Sequence, residues 1–314
     1  MTIYRNFDNI EGSYTACIGF FDGVHRGHRF LLEHLRNESS CSNTLSAVIT
    51  FANHPRKLIQ PEYKLDLINT LDEKLSNLEA TGIDTCFLLD FTEDIRNLTA
   101  EEFICDFLSA KMHVTRLLIG YDHRFGRNRA EGFEDYVRYG KSCGMEVVQE
   151  PIFDDGSGRN FSSSEVRRAL ISGNISEATD ILGQLYKLEG VVIHGHQLGR
   201  KLGFPTANLN PFNKDKIIPS NGVYAAKVLL DNGEEYPSMV NIGFRPTVDN
   251  DLNRLSVEAH LIGFEGDLYD KTITISFIER IRDEKKMSSL EELKQQLSFD
   301  CQTSLKIVKE KADR

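Results

Sequence analysis

No apolar run in this sequence approaches the length of a membrane span, and its first residues, MTIYRNFDNIEGSY, carry neither a basic flank nor an apolar signal core. A cytoplasmic chain away from the membrane is the expectation. Basic excess is missing too, with 37 Lys and Arg against 47 Asp and Glu and a net charge of −10. Without an arginine-rich tail or basic stripe to offset that charge, nucleic acid is not the expected partner. Any phosphate ligand must then be held by local groups or by a metal. The six cysteines, Cys17, Cys41, Cys86, Cys105, Cys143 and Cys301, never form a CxxC pair and read as reduced core or surface thiols. What remains is the make-up of a soluble globular protein, 40% hydrophobic and 27% charged, and its 314 residues suggest two domains.

From Tyr14 to about Glu150, short apolar runs alternate with amphipathic segments. The runs are Tyr14 to Phe21, Thr44 to Phe51, Asp84 to Phe91, Val114 to Tyr121 and Met145 to Ile152. Capping boxes open helices at Thr70 with Glu73 and at Thr99 with Glu102. Such alternation predicts a parallel sheet covered by helices on both faces, with ligands beyond the carboxyl ends of the strands. Three of those ends carry polar clusters. The first is GFFDGVHRGH, Gly19 to His28; the second is FANHPR, Phe51 to Arg56; the third is GYDHRFG, Gly120 to Gly126, followed by Arg127, Arg129 and Gly132. In the first, His25 and His28 can share one side of a turn, and Gly27 offers no side chain to fend off a ligand. A helix starting near His28 would aim free amides at an anion. Phosphate, a metal and a structural cap are equally consistent with the histidine spacing alone. After the loop DDGSGRN, Ser162 and Glu165 form a capping box for a helix running to Ser172, and Arg167 one turn in could add a bidentate grip on phosphate.

Beyond a short helical linker, Ile171 to Tyr186, alternating strands follow one another, with a hairpin turn at Asp231-Asn232-Gly233. No long helix returns until a capping box at Ser288 with Glu291. An antiparallel barrel or sandwich is predicted, and the boundary is set near residue 184, giving domains 1–183 and 184–314. GHQLGRKLGFPTANL, Gly195 to Leu209, places Gly195, Gly199 and Gly203 at regular spacing, a phosphate cradle or a plain loop, with Arg200 and Lys201 for charge. Alternation then sets Thr206 and Asn208 after Pro205 on one face, where a hydroxyl and an amide oxygen can reach one hard cation such as magnesium. A lone Glu258 in SVEAHLIGF could simply face water.

These motifs resemble a known family. GxFDGxHxGH, Phe-x-x-His-Pro, GxDxxFG and SS(S/T)xxR in this order resemble the flavin adenylyltransferase module of bacterial bifunctional riboflavin kinase/FAD synthetases, a Rossmann-like nucleotidyltransferase fold. GRxLGxPTAN resembles their riboflavin kinase module, a β-barrel with a C-terminal helix. The resemblance implies riboflavin, FMN and ATP as small-molecule partners, ATP consumed in both steps, and Mg2+. It puts His25, His28 and Arg167 in adenylyl transfer, with Gly19, Phe21, Asp22, Gly27, Ser163 and Ser164 around the ATP phosphates. Asp122, Phe125 and Gly126 fall near the nucleotide or flavin. In the second half it gives Glu258 the role of general base, Thr206 and Asn208 the metal, and Arg282 a flavin contact. Gly195, Gly199, Arg200, Gly203 and Pro205 would bind the ATP of the kinase step. Phe20, Asn53, His123, Ser164 and Met287 stand where other residues are usual, and the departures at Asn53 and His123 make a kinase with a non-catalytic first domain the alternative. No motif speaks to oligomeric state.

Overall fold

The structure is a computed structural model describing residues 1–60, 62–120, 124–127, 131–195, 198–244 and 255–312. By packing, the chain divides into two compact units, Met1–Ser163 and Ser164–Arg314. The division falls at the start of the helix Ser163–Ser172, whereas the boundary set near residue 184 follows the next helix, Ile175–Leu182.

The first unit is built on strands β1 (Thr2–Tyr4), β2 (Tyr14–Ile18), β3 (Leu45–Phe51), β4 (Thr85–Leu89), β5 (Val114–Gly120) and β6 (Glu146–Glu150). They form a six-stranded sheet in the order β1-β4-β3-β2-β5-β6, and every pairing is parallel. Side-chain alternation sorts the strands onto two cores. Ala16, Ile18, Ile49, Phe87, Leu117 and Ile119 belong to one, with Phe103, Ile104 and Leu108 of the helical segment after Thr99. Cys17, Val48, Cys86, Leu88 and Leu118 belong to the other, with Leu32 and Leu35 of the helix Arg26–Ser42 and Leu78 of the helix Leu71–Glu79. Both expected capping boxes, at Thr70 and Thr99, are formed. The edge strand β1 was not anticipated, since three residues are too few to display a period. The first long run also stops as a strand at Ile18, because Phe21, Gly23 and Val24 take positive φ of 54°, 86° and 41° and turn the chain.

The second unit is a closed antiparallel barrel of β7 (Tyr186–Ile193), β8 (Ala207–Pro211), β9 (Gly222–Leu230), β10 (Glu235–Phe244), β11 (Leu255–Leu261) and β12 (Thr272–Arg282). Its order is β10-β11-β8-β7-β12-β9, closing between β9 and β10. The barrel, left open against a sandwich by sequence, removes every sheet edge. Gly233, at φ 86°, makes the expected hairpin between β9 and β10. The helix Leu290–Ala312 packs on β9, β10 and β12. Its cap sits one residue later than expected: Ser289 Oγ accepts from the Glu292 amide at 3.1 Å, and Glu292 Oε2 accepts the Ser288 amide at 2.8 Å.

Gly190 in β7 lies opposite Pro211, and a Cβ there would overlap the carbonyl of Asn210. Gly190→Ala is therefore expected to force β7 from β8 and cost about 1–3 kcal/mol. Urea denaturation of the variant checks this, and an unchanged midpoint would contradict it.

Candidate active sites

In the first unit, the strand order reverses at β2: the chain steps outward through β3 and β4, then returns to the other side of β2 with β5. Parallel sheets bind ligands in the crevice at such a reversal, beyond the carboxyl ends. β2 delivers Gly19 to His28 to this point, and β5 ends beside it at Gly120. Asp122, His123 and Arg129 lie outside the described residues.

The turn after β2 is strained, since the β-branched Val24 has positive φ, a conformation costing about 1–3 kcal/mol. Two features hold it. Phe21 and Val24 are buried, and the Asp22 carboxylate accepts the amides of Ile68 at 3.1 Å and Asn69 at 3.0 Å. The Asp22 carbonyl accepts the Ser163 hydroxyl at 2.8 Å, which ties the start of the helix Ser163–Ser172 to the same turn. Asp22 and Phe21 thus act here as framework, while Gly19 makes room for the Phe21 ring.

His25 is the N-cap of the helix Arg26–Ser42, its Nδ1 accepting the His28 amide at 3.3 Å. The two imidazoles stack with centroids 3.6 Å apart, and Phe21 meets His28 edge-on at 5.1 Å. Burial and the neighbouring His25 hold the His28 pKa well below its usual value, so the ring is neutral. Its buried Nδ1 has no hydrogen-bond partner among the described residues. Of the three readings open to the pair, the cap is realised by His25, and an anion would supply what His28 lacks. Among the described residues no cluster of three or more His, Cys, Asp or Glu could hold a metal. Gly27 also packs closely, since a Cβ there would sit 3.0 Å from the Phe161 carbonyl. Ser164 is exposed and Arg167 half-buried on the helix Ser163–Ser172, with Arg167 one turn on from Ser163.

Beside the turn is a cavity of about 260 Å³ walled by Phe20, Phe51, Phe91, Phe103 and Phe125, with Gly126, Arg96 and Arg124. Tyr136 fixes Phe125 by stacking at 4.2 Å and by bonding both its amide and carbonyl. Asn53 pairs with the Phe91 backbone through both amide atoms, at 2.6 and 3.1 Å, and so sets another wall. The buried Lys74 donates to the Phe20 carbonyl, Thr50 Oγ1 and the Phe51 carbonyl at 2.8–3.2 Å, and Phe20 covers it at 4.3 Å. Burial lowers its pKa to about 8. Lys74 was missed, although a lysine between Leu71, Leu75 and Leu78 on an apolar helix face was a visible signal. His54 mostly serves local structure, capping the short helix Pro55–Ile59.

In the barrel, two cavities share one wall. The first, about 270 Å³, is lined by Glu258, Asn241, Gly199, Met239, Arg282, Met287 and the C-terminal helix. The second, about 320 Å³, is lined by Arg200, Pro205, Ala207, Leu268 and Tyr269. Thr206 borders both, and its hydroxyl donates to Glu258 Oε2 at 3.2 Å. Asn208 and Asn241 lie directly across from Glu258 on β8 and β10, so the three side chains share one face. Asn208 is buried and its Oδ1 has no hydrogen-bond partner among the described residues. Gly195 is required because any Cβ would strike that amide, and Gly199 because one would strike the Phe204 carbonyl. The glycine-rich stretch is partly helical, Leu198–Leu202, and Gly203 leaves it at φ 88°. Arg282 is held by the fully buried Asp300 at 2.6 Å. Asn241 and Asp300 were missed; the carboxylate in the helical stripe Leu293, Leu297, Asp300, Ser304, Val308 signalled a buried partner.

The FAD synthetase family model matches residues 8–165, and the riboflavin kinase model matches residues 182–308. The bifunctional riboflavin kinase/FMN adenylyltransferase of Escherichia coli K12 is 38% identical over 304 residues, spanning 96% of each chain. Its counterpart from Pseudomonas fluorescens is 35% identical, again over 96% of each. A crystal structure from Streptococcus pneumoniae, described as a macrolide-efflux protein, superimposes with TM-score 0.86 at 29% identity over 96% of this chain and 97% of that one. Here no helix among the described residues is long and apolar enough to cross a membrane. Two family models in tandem, and relatives matched from end to end, agree with the parallel sheet and the barrel: the chain belongs to the bifunctional riboflavin kinase/FMN adenylyltransferase family.

Proposed function

We propose that this chain makes FAD from riboflavin in two ATP-dependent steps, phosphorylation in residues 184–314 and adenylylation in residues 1–183, in the cytoplasm. The observation that carries the reading is the wall at Thr206, which separates two cavities and holds a carboxylate. Phosphoryl transfer needs an alcohol and a nucleotide to meet end to end beside a base. Riboflavin is assigned to the cavity under the C-terminal helix, with Arg282 on its flavin side, and ATP to the cavity of Arg200, Pro205 and Tyr269. Glu258 accepts the proton of the 5′-hydroxyl as that oxygen bonds to the γ-phosphorus, and the bond from that phosphorus to the bridging oxygen breaks to release ADP. The Thr206 hydroxyl orients the carboxylate for this transfer.

Thr206 and Asn208 are the proposed magnesium ligands. The fit rests on the donor set, a hydroxyl and a buried amide oxygen without a protein partner, which suits a hard cation that keeps several waters. When bound, Mg2+ would neutralise charge on the nucleotide phosphates.

In the first unit the aromatic cavity suits an isoalloxazine ring, with Phe125, Gly126 and, by resemblance, Asp122 on the flavin side. An FMN phosphate oxygen attacks the α-phosphorus of ATP, and pyrophosphate leaves. The monoester is already ionised at neutral pH, so no base is required and the protein's task is alignment and charge stabilisation. His25, His28 and Ser163 are the proposed phosphate ligands, and Ser164 and Arg167 join them on the family resemblance alone.

Glu258→Gln should lower FMN formation about a hundredfold or more while FAD formation from supplied FMN continues. His28→Ala should do the reverse. Separate assays of the two reactions check this, and a joint loss in either variant would defeat the division of labour.

His28 also gives a pH prediction. Its folded pKa lies below the usual 6.5, so the unfolded chain takes up the proton first as pH falls. The stability contributed by the neutral ring is present above 6.5 and lost below it. ATP should move the His28 titration upward, because triphosphate favours the imidazolium. NMR titration with and without ATP reads both; a His28 unaffected by ATP removes it from the phosphate site.

A further inference from the structure

His260 has no part in the steps above, although it shares a strand face with Glu258. β8 and β11 pair from Leu209–Val257 to Ala207–Ala259, and there the ladder stops. Pro205 has no amide hydrogen to extend it, and Thr206 lies before the first residue of β8. Side chains of β11 take over where the backbone cannot. The Thr206 hydroxyl donates to Glu258 Oε2 at 3.2 Å, and His260 Nδ1 lies 2.8 Å from the Pro205 carbonyl. A carbonyl only accepts, so Nδ1 carries the hydrogen and donates. The imidazole is 9% exposed, the Phe204 ring packs edge-on at 5.4 Å, and the Phe204 amide donates to the Gly199 carbonyl at 2.8 Å. Three consecutive residues, Phe204, Pro205 and Thr206, are thus each pinned by one bond. His260 is not among the described residues lining either barrel cavity.

We propose that His260 is a positioning residue for phosphoryl transfer: by holding the Pro205 carbonyl it fixes the Thr206 hydroxyl between the two cavities, at the place where Glu258 meets it. The pair Glu258 and His260 forms a two-pronged grip on the Pro-Thr junction, with one prong chemical and the other supporting. This rests on the kinase reading of the barrel. A support removed without replacement lets the wall shift, and a displacement of about 1 Å near reacting atoms costs about a hundredfold in rate.

The test compares His260→Ala, His260→Asn and His260→Gln in the full chain. Riboflavin phosphorylation with magnesium and ATP is measured alongside adenylylation of supplied FMN by the same preparation. His260→Ala is expected to lower kcat for FMN formation about 10- to 100-fold with the riboflavin KM changed less than about twofold. Adenylylation should be unaffected. His260→Asn, whose amide N–H falls near the place of Nδ1–H, should recover most of kcat, and His260→Gln, one methylene longer, should not. Wild-type kcat in His260→Ala overturns the proposal, as does an Asn variant no better than the Gln variant. If His260→Ala fails to fold, the Asn–Gln comparison decides alone. A wild-type protein that forms no FMN would overturn the kinase reading itself, whereas active wild type with indifferent variants overturns only the role of His260.

Discussion

Polyphosphate has to be held by a chain whose net charge is −10. Long-range attraction cannot do this, so each site depends on a few groups fixed at short range, where the local field outweighs the distant carboxylates. Each half holds a buried, neutral atom that has no hydrogen-bond partner among the described residues. They are the imidazole Nδ1 of His28 and the amide Oδ1 of Asn208, the atoms proposed above to meet phosphate and magnesium. Burial makes such atoms costly when left alone and correspondingly receptive to a ligand of the right sign.

Fixing those groups explains much of the surrounding structure. In the first unit the cost of the positive-φ turn at Phe21 to Val24 is offset by the Asp22 carboxylate on two amides and by two buried side chains. That turn launches the helix whose cap is His25, and the cap stacks on His28. In the barrel, the row Asn208, Glu258 and Asn241 is set by strand register alone, since residues facing each other across a ladder must share a face. The departures at Phe20 and Asn53 fit the same logic. Phe20 covers the ammonium of Lys74, and Asn53 holds the Phe91 backbone, so each braces the aromatic cavity.

Local patterns were legible in the sequence because their causes are local. The alternating runs Thr44 to Phe51 and Val114 to Tyr121, the boxes at Thr70 and Thr99, and the Asn232-Gly233 turn all carry their signal within ten residues. The motifs around His25, His28 and Thr206 were visible in the same way, whereas Glu258 stood out only through the family resemblance. What escaped was long-range pairing. The bracing of the turn by Asp22 could not be read, because its partners Ile68 and Asn69 lie 46 and 47 residues away. Asp300 meets Arg282 only through the barrel's packing, and the Pro205 partner of His260 is 55 residues distant. Neither β1 nor the one-residue shift of the cap to Ser289 had a pattern long enough to declare it.

Performance of two ordered reactions by one chain is what the two family matches imply. Its most direct measurement is a chromatographic time course of flavins after the purified protein is mixed with riboflavin, ATP and magnesium. FMN is expected to rise first and FAD to follow with a lag, while omission of magnesium abolishes the rise of FMN. FMN that never proceeds to FAD, or no conversion of riboflavin at all, would contradict it.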